Sequence, residues 1–128
     1  MQIRITLFAA LLSLVGLQAA HAATLYSPIL KARYNSLNRT FQCSVLNVSS
    51  EPKLATFWIM KWNGTVLNGP SGQSTIPPGE MRVLTHSTPG WAYCKVQVTG
   101  LKTDWRGAFE LRTFLNGEYE TSVSVPLQ

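Results

Sequence analysis

Two cysteines, one histidine beyond the N-terminal leader and six scattered carboxylates are the main stock from which this chain could build acid–base, nucleophilic or metal chemistry. The histidine is His86, in a strand-end Thr-His-Ser, and the carboxylates are Glu51, Glu80, Asp104, Glu110, Glu118 and Glu120. They fall singly over turns and strands, with none of the close spacing that a metal site or a pair of catalytic acids needs. Pairing His86 with Asp104 and a serine would make a small hydrolase, but no nucleophile-elbow motif frames any serine. The expectation is a protein that is not an enzyme, with no metal and no cofactor; a small secreted enzyme of hydrolase type is the alternative. It is separated by one geometric test, whether His86 and an acid come within hydrogen-bond reach.

The cysteines point to structure instead. Cys43 and Cys94 lack the Cys-x-x-Cys spacing of redox and metal sites. Met1–Arg4 carries one positive side chain, Ile5–Leu17 is an apolar run, and Ala20-His-Ala22 fits a small-x-small cleavage site. That is the layout of a secretory signal, too short for a membrane span. Residues 1–22 are therefore expected to be a cleaved signal peptide and residues 23–128 a single domain, secreted or periplasmic, with no later segment able to span a bilayer. In an oxidising compartment an even pair of cysteines bridges. Only Cys43–Cys94 is possible, and closing that loop is worth roughly 4 kcal/mol in the chain-entropy model.

The bridge must be held by strands. In Trp91–Thr99, Ala92, Cys94, Val96 and Val98 alternate with Trp91, Tyr93, Lys95, Gln97 and Thr99, which is the period of a half-buried strand. Phe41, Cys43 and Val45 alternate in the same way within Thr40–Val48. Further strands are expected at Leu25–Leu30 (an edge, since Pro28 lacks a ladder N–H), Leu54–Lys61, Thr65–Leu67, Glu80–His86, Gly107–Leu115 and Glu118–Val125. Tyr34–Arg39 reads as a polar loop and Asn68–Pro78, rich in Gly, Pro and Ser, as a surface excursion. About seven strands with turns every eight to twelve residues, and no helical window, favour an all-β antiparallel β-sandwich.

The last hairpin permits a choice of register. A two-residue Asn116-Gly117 loop would set Phe109 and Leu111 on the face of Glu120, Ser122 and Ser124. A three-residue loop, Leu115–Gly117, sets them with Tyr119, Thr121, Val123 and Val125. A one-residue slip reverses every side chain, so the apolar pattern favours the three-residue loop with Gly117 left-handed.

Lysine and arginine number eleven against six acids, a net charge of +5, with Arg4 alone in the leader. The cations are scattered, with no stripe to track a phosphate backbone, so no nucleic-acid partner is expected. Weak attraction to an anionic envelope surface fits the charge. Three sequons, at Asn38, Asn47 and Asn63, are better explained by chance and turn chemistry than by glycosylation.

Cys43…Trp58…Cys94 resembles the immunoglobulin pattern, in which a core tryptophan packs on the inter-sheet disulfide. The tyrosine-corner position, two residues before the second cysteine, is Ala92, so the resemblance concerns architecture. A second resemblance spans nearly all of residues 23–128. Ala23-Thr-Leu-Tyr-Ser-Pro28, Cys43-x-Val45-x-Asn47-Val-Ser49, Asn63-Gly64, Pro78-Gly79, Tyr93-Cys-Lys-Val96 and Arg106 are similar to a group of short exported bacterial proteins of unknown function. It implies a bacterial exported β-sandwich with an immunoglobulin-like pattern and one disulfide, and supplies no activity or site.

Leu54–Met60 is apolar on both faces. The gap-free match to the exported group from Cys43 to Gly64 favours Ala55, Phe57 and Ile59 inward, which turns Trp58 and Met60 outward. If this strand pairs with the Cys94 strand, Trp91 and Tyr93 join them. Trp58, Met60, Trp91 and Tyr93 are thus the candidate binding surface, for an envelope or extracellular protein or glycan. The competing expectation is that the Asn68–Pro78 loop or the N-terminal segment covers the rings.

Overall fold

The computed structural model describes residues 22–32 and 39–128. The signal-peptide expectation falls outside these residues except for Ala22, and so does the 34–39 loop except for Arg39. The described residues form ten strands: β1 (Ala22–Tyr26), β2 (Leu30–Ala32), β3 (Arg39–Asn47), β4 (Lys53–Lys61), β5 (Val66–Asn68), β6 (Ser74–Ile76), β7 (Met81–His86), β8 (Gly90–Thr99), β9 (Trp105–Leu115) and β10 (Glu118–Pro126). A single 3-10 turn, Lys102–Asp104, precedes β9. The fold is all-β, and the expected count of about seven strands is corrected to ten.

The strands make two antiparallel sheets. In the six-stranded sheet β8 and β4 are central; β1 and β2 both pair with the far side of β8, and β5 and β6 both pair with the far side of β4. The four-stranded sheet runs β10-β9-β3-β7. Their inward faces follow the alternation of the sequence. Phe41, Cys43 and Val45 of β3, Ala55, Phe57 and Ile59 of β4, and Ala92, Cys94, Val96 and Val98 of β8 are all buried. Phe41 stacks on Phe109 with ring centroids 5.3 Å apart. The Cys43–Cys94 disulfide joins β3 to β8, one central strand from each sheet, across a Cα separation of 5.8 Å. Both cysteines are fully buried, as the alternation requires.

The edge strand expected at Leu25–Leu30 is two strands with Pro28 in the gap between them. Ser27 repairs the ladder there. Its backbone N–H donates to the Cys94 carbonyl at 2.9 Å, and its Oγ accepts the Cys94 N–H at 2.8 Å. A buried main-chain group left unpaired would be costly, so one serine serves both polar groups of the disulfide-bearing residue.

The 68–78 segment is not a plain surface excursion. Ser74–Ile76 is strand β6, paired with Lys53–Ala55, and Ile76 is fully buried. Its position is fixed by Asn47, a buried side chain at the end of β3. Asn47 Nδ2 donates to the carbonyls of Ile76 and Glu51, both at 2.8 Å, and its Oδ1 accepts from Ser49 N at 2.9 Å and Ser49 Oγ at 2.7 Å. The sequon at Asn47 is thereby accounted for as a structural amide. Asn63 instead sits exposed at the β4–β5 turn, accepting the Thr65 N–H at 3.1 Å.

The final hairpin combines the two alternatives of the sequence. Glu118 pairs with Leu115, so the loop is the two-residue Asn116-Gly117, with φ of 52° and 84°, not the three-residue loop. Two consecutive left-handed residues suit the twist of a tight hairpin, and glycine accepts that region without a Cβ penalty. A bulge between Thr121 and Val123 then shifts the register by one, pairing Val123 with Leu111 and Val125 with Phe109. The apolar pattern is satisfied by the bulge in mid-strand and not by a three-residue turn.

Candidate binding surface

Phe57 and Ile59 point into the core, so Trp58 lies on the outer face of the six-stranded sheet, opposite Lys95 in register. Ile59, not a tryptophan, stands opposite Cys94. The buried tryptophan of this core is Trp105, the first residue of β9, whose indole Nε1 donates to the Thr99 carbonyl at 3.0 Å. Its position just after a loop, where no alternation precedes it, hid it in the sequence.

Of the four candidate surface residues, Trp91 is exposed, Trp58 and Tyr93 are half-buried, and Met60 is buried, with 8% of its surface accessible. Met60 is therefore removed from the candidate surface. It shares the outer face with Trp58 and Tyr93 but has a strand on each side, Tyr93 opposite on β8 and Val66 opposite on β5, and its flexible, unbranched side chain is covered between them. The 68–71 segment also runs along the β4 edge: Ser71 N donates to the Phe57 carbonyl and Phe57 N to Ser71 Oγ, each at 3.0 Å. The competing expectation of a covering loop is thus met at the edge of β4, while Trp91 stays open.

What the sequence reading missed is Trp62. It is 60% exposed, just past the end of β4, and its backbone N–H donates to the Trp91 carbonyl at 3.1 Å. Trp91 is 47% exposed. With Ile29, from the gap between β1 and β2, they line a shallow and almost wholly apolar groove. On the other side of the two indoles, Lys61, Leu67, Thr88 and Pro89 complete a cleft of about 270 Å³. Three chain segments distant in sequence bring these rings to one end of the six-stranded sheet.

Two lysines lie on the rings of this face. Lys31 Nζ is 5.0 Å from the centroid of Trp91, and Lys95 Nζ is 4.9 Å from that of Trp58. An ammonium within about 6 Å of an indole face is attracted by the ring quadrupole, and Trp is the strongest such partner. The lysine stems also shield part of each ring while leaving the charged head in solvent.

His86 and Asp104 are not brought together. His86 pairs with Phe41 near the start of β3, and Asp104 precedes Trp105, which pairs with Asn47 at its end. At about 3.4 Å per residue the six intervening steps put them roughly 20 Å apart. Asp104 instead caps its own turn, accepting the Leu101 N–H at 2.9 Å, and lies 3.6 Å from Lys53 Nζ. Among the described residues no group of three or more His, Cys, Asp or Glu side chains is placed to hold a metal ion. None of the helical structure among them is long and apolar enough to cross a membrane.

Comparison with family models and with curated proteins gives no match. Among solved structures the chain is similar to a crystal structure of Thermotoga maritima 1070, with a TM-score of 0.53 and 8% sequence identity, over 82% of this chain and 91% of that one. At that identity the likeness concerns the fold alone.

Proposed function

We propose that the protein is a non-catalytic binding or structural module of the periplasm or cell exterior, an immunoglobulin-like sandwich related to the exported bacterial group its motifs resemble. The observation that carries this reading is the paired exposure of Trp62 and Trp91 beside Ile29. Large rings left open on a sheet that is otherwise well packed more often mark an interaction surface than scattered apolar exposure does. The disulfide between the two sheets supports it in two ways. It is compatible with an oxidising, extracytoplasmic location, and it stiffens the platform so that little ordering cost accompanies binding. The Cys43–Cys94 bridge across two antiparallel sheets favours the immunoglobulin-like comparison, with Ile59 where that comparison would set its tryptophan.

The test is co-sedimentation of the purified protein with the insoluble envelope fraction of its native cell. The wild type should pellet, and the double variant Trp62→Ala/Trp91→Ala should remain in the supernatant while keeping its circular dichroism spectrum. Equal pelleting of the two, or none by either, would remove the reading.

A further inference from the structure

The six strands of the larger sheet contain no aspartate, no glutamate and no arginine. Their charged residues are four lysines: Lys31, Lys53, Lys61 and Lys95. Lys53 is neutralised by Asp104 at the far end of β4, 3.6 Å away. Among the described residues, no carboxylate lies within ion-pair distance of the other three. All six acidic side chains sit on the smaller sheet, its turns or the loops. Lys31 and Lys95 stand opposite Trp91 and Trp58 on the outer face of this sheet, which is thus cationic and aromatic together.

The arrangement on that face repeats. Register places Lys31 beside Trp91, with Trp62 bonded to the Trp91 main chain, and four residues further along β8 it places Tyr26 and Trp58 on either side of Lys95. Each cluster holds two aromatic rings and one ammonium, and in each the ammonium lies about 5 Å from a tryptophan centroid. Four residues of strand separate the clusters by roughly 14 Å, and Tyr93 lies between them.

We infer that this face binds an anionic polysaccharide lying along β8, deepening the proposed binding-module reading, on which it rests. Pyranose rings present faces of C–H bonds whose partial positive charge complements the negative face of an indole or phenol. Lysine supplies the point charge for a carboxylate or sulfate on the same or the next sugar. A repeated ring-and-cation unit on a rigid strand matches a ligand that repeats. A phosphate backbone, charged at every unit, would call for a continuous cationic stripe, whereas Lys31 and Lys95 stand roughly 14 Å apart with rings between them. Insertion of Trp91 into a membrane would strip water from Lys31, whose Nζ lies 5.0 Å from that ring, whereas a hydrated polysaccharide leaves the ammonium solvated.

The experiment is titration of the disulfide-bonded protein with polygalacturonate, neutral dextran, phosphatidylglycerol vesicles and single-stranded oligothymidylate. Polygalacturonate should bind, dextran should bind on the order of tenfold more weakly, and added salt should weaken the polygalacturonate complex. Trp62→Ala and the pair Lys31→Gln/Lys95→Gln should each weaken it on the order of tenfold with the thermal midpoint unchanged. Tighter binding of vesicles or oligothymidylate than of polygalacturonate would overturn the inference. So would polygalacturonate binding that none of these substitutions alters. If no probe binds but the wild type still pellets with the envelope, the polysaccharide inference falls and the binding-module reading stands; loss of both removes both.

Discussion

The backbone N–H of Trp62 donates to the carbonyl of Trp91 at 3.1 Å, so the two most exposed indoles of the described chain are registered by main chain. Their placement does not depend on either side chain packing. Trp62→Ala and Trp91→Ala should therefore each change stability by no more than about 0.5 kcal/mol, the usual range for open surface positions. Phe57→Ala, one face away on the neighbouring strand, should cost about 3–5 kcal/mol through the cavity it leaves. Urea unfolding of the three variants checks the contrast. A large loss from Trp62→Ala would make that ring part of the core.

Asn47 ties the β3–β4 loop and β6 to the end of β3 through one amide. Asn47→Leu leaves the carbonyls of Ile76 and Glu51 without their donor, at about 1–3 kcal/mol for a buried group so orphaned. Asn47→Asp loses the same donor and should be no better. Asn63→Ala, which removes a single exposed turn contact, should cost well under about 1 kcal/mol. Thermal unfolding of the three proteins gives the order.

The bridge between β3 and β8 closes a sequence separation of 51 residues. Cys43→Ala/Cys94→Ala should lose about 2–5 kcal/mol. The wild type, analysed by mass spectrometry without reductant, should show no free thiol. Two free thiols in the native protein would count decisively against the bridge.

The bulge in β10 predicts the effect of a deletion. Removing Ser122 should leave the Asn116-Gly117 turn intact and still set Val123 against Leu111 and Val125 against Phe109, now without a register shift. The protein should fold with its midpoint within a few degrees of wild type, about 1 kcal/mol for a domain of this size, having lost the 2.7 Å contact between Ser122 Oγ and Thr113 Oγ1. Removing Ser124 instead moves Val125 to the wrong face and should be severely destabilising. Paired thermal melts of the two deletions settle whether the bulge is needed.

Much of the core was legible because β3 and β8 alternate cleanly over their whole length. Phe41, Cys43, Val45, Cys94 and Val96 could be placed by period alone, and the disulfide followed. On β4, apolar on both faces, period could not choose; motif matching turned Phe57 and Ile59 inward, and the structure agrees. Burial of Met60 depends on how closely β5 packs beside it: the short strand itself is expected at Thr65–Leu67, but its cover over Met60 comes from the tertiary fold. Three residues carry too little alternation to declare a strand, and so Ser74–Ile76 was hidden among glycines, prolines and serines despite the fully buried Ile76. The candidate surface was half legible. Trp91 and Tyr93 followed from the strand they share, but Trp62 lies beyond the end of β4 and reaches Trp91 only through the tertiary fold.

The order of the strands has a consequence for synthesis. The larger sheet is assembled on β8 and the smaller on β9 flanked by β3, so Gly90–Leu115 is the partner for which β1, β2, β3 and β4 must wait. Before that stretch has been made, only the short pairings of β4 with β5 and β6, and of β3 with β7, are open to the chain. Such contacts between distant segments are slow to form, because loop closure must be met before burial rewards it. A chain growing from its N-terminus thus stays without a core until late in translation, and in that interval remains thin and unknotted enough to be threaded through a pore.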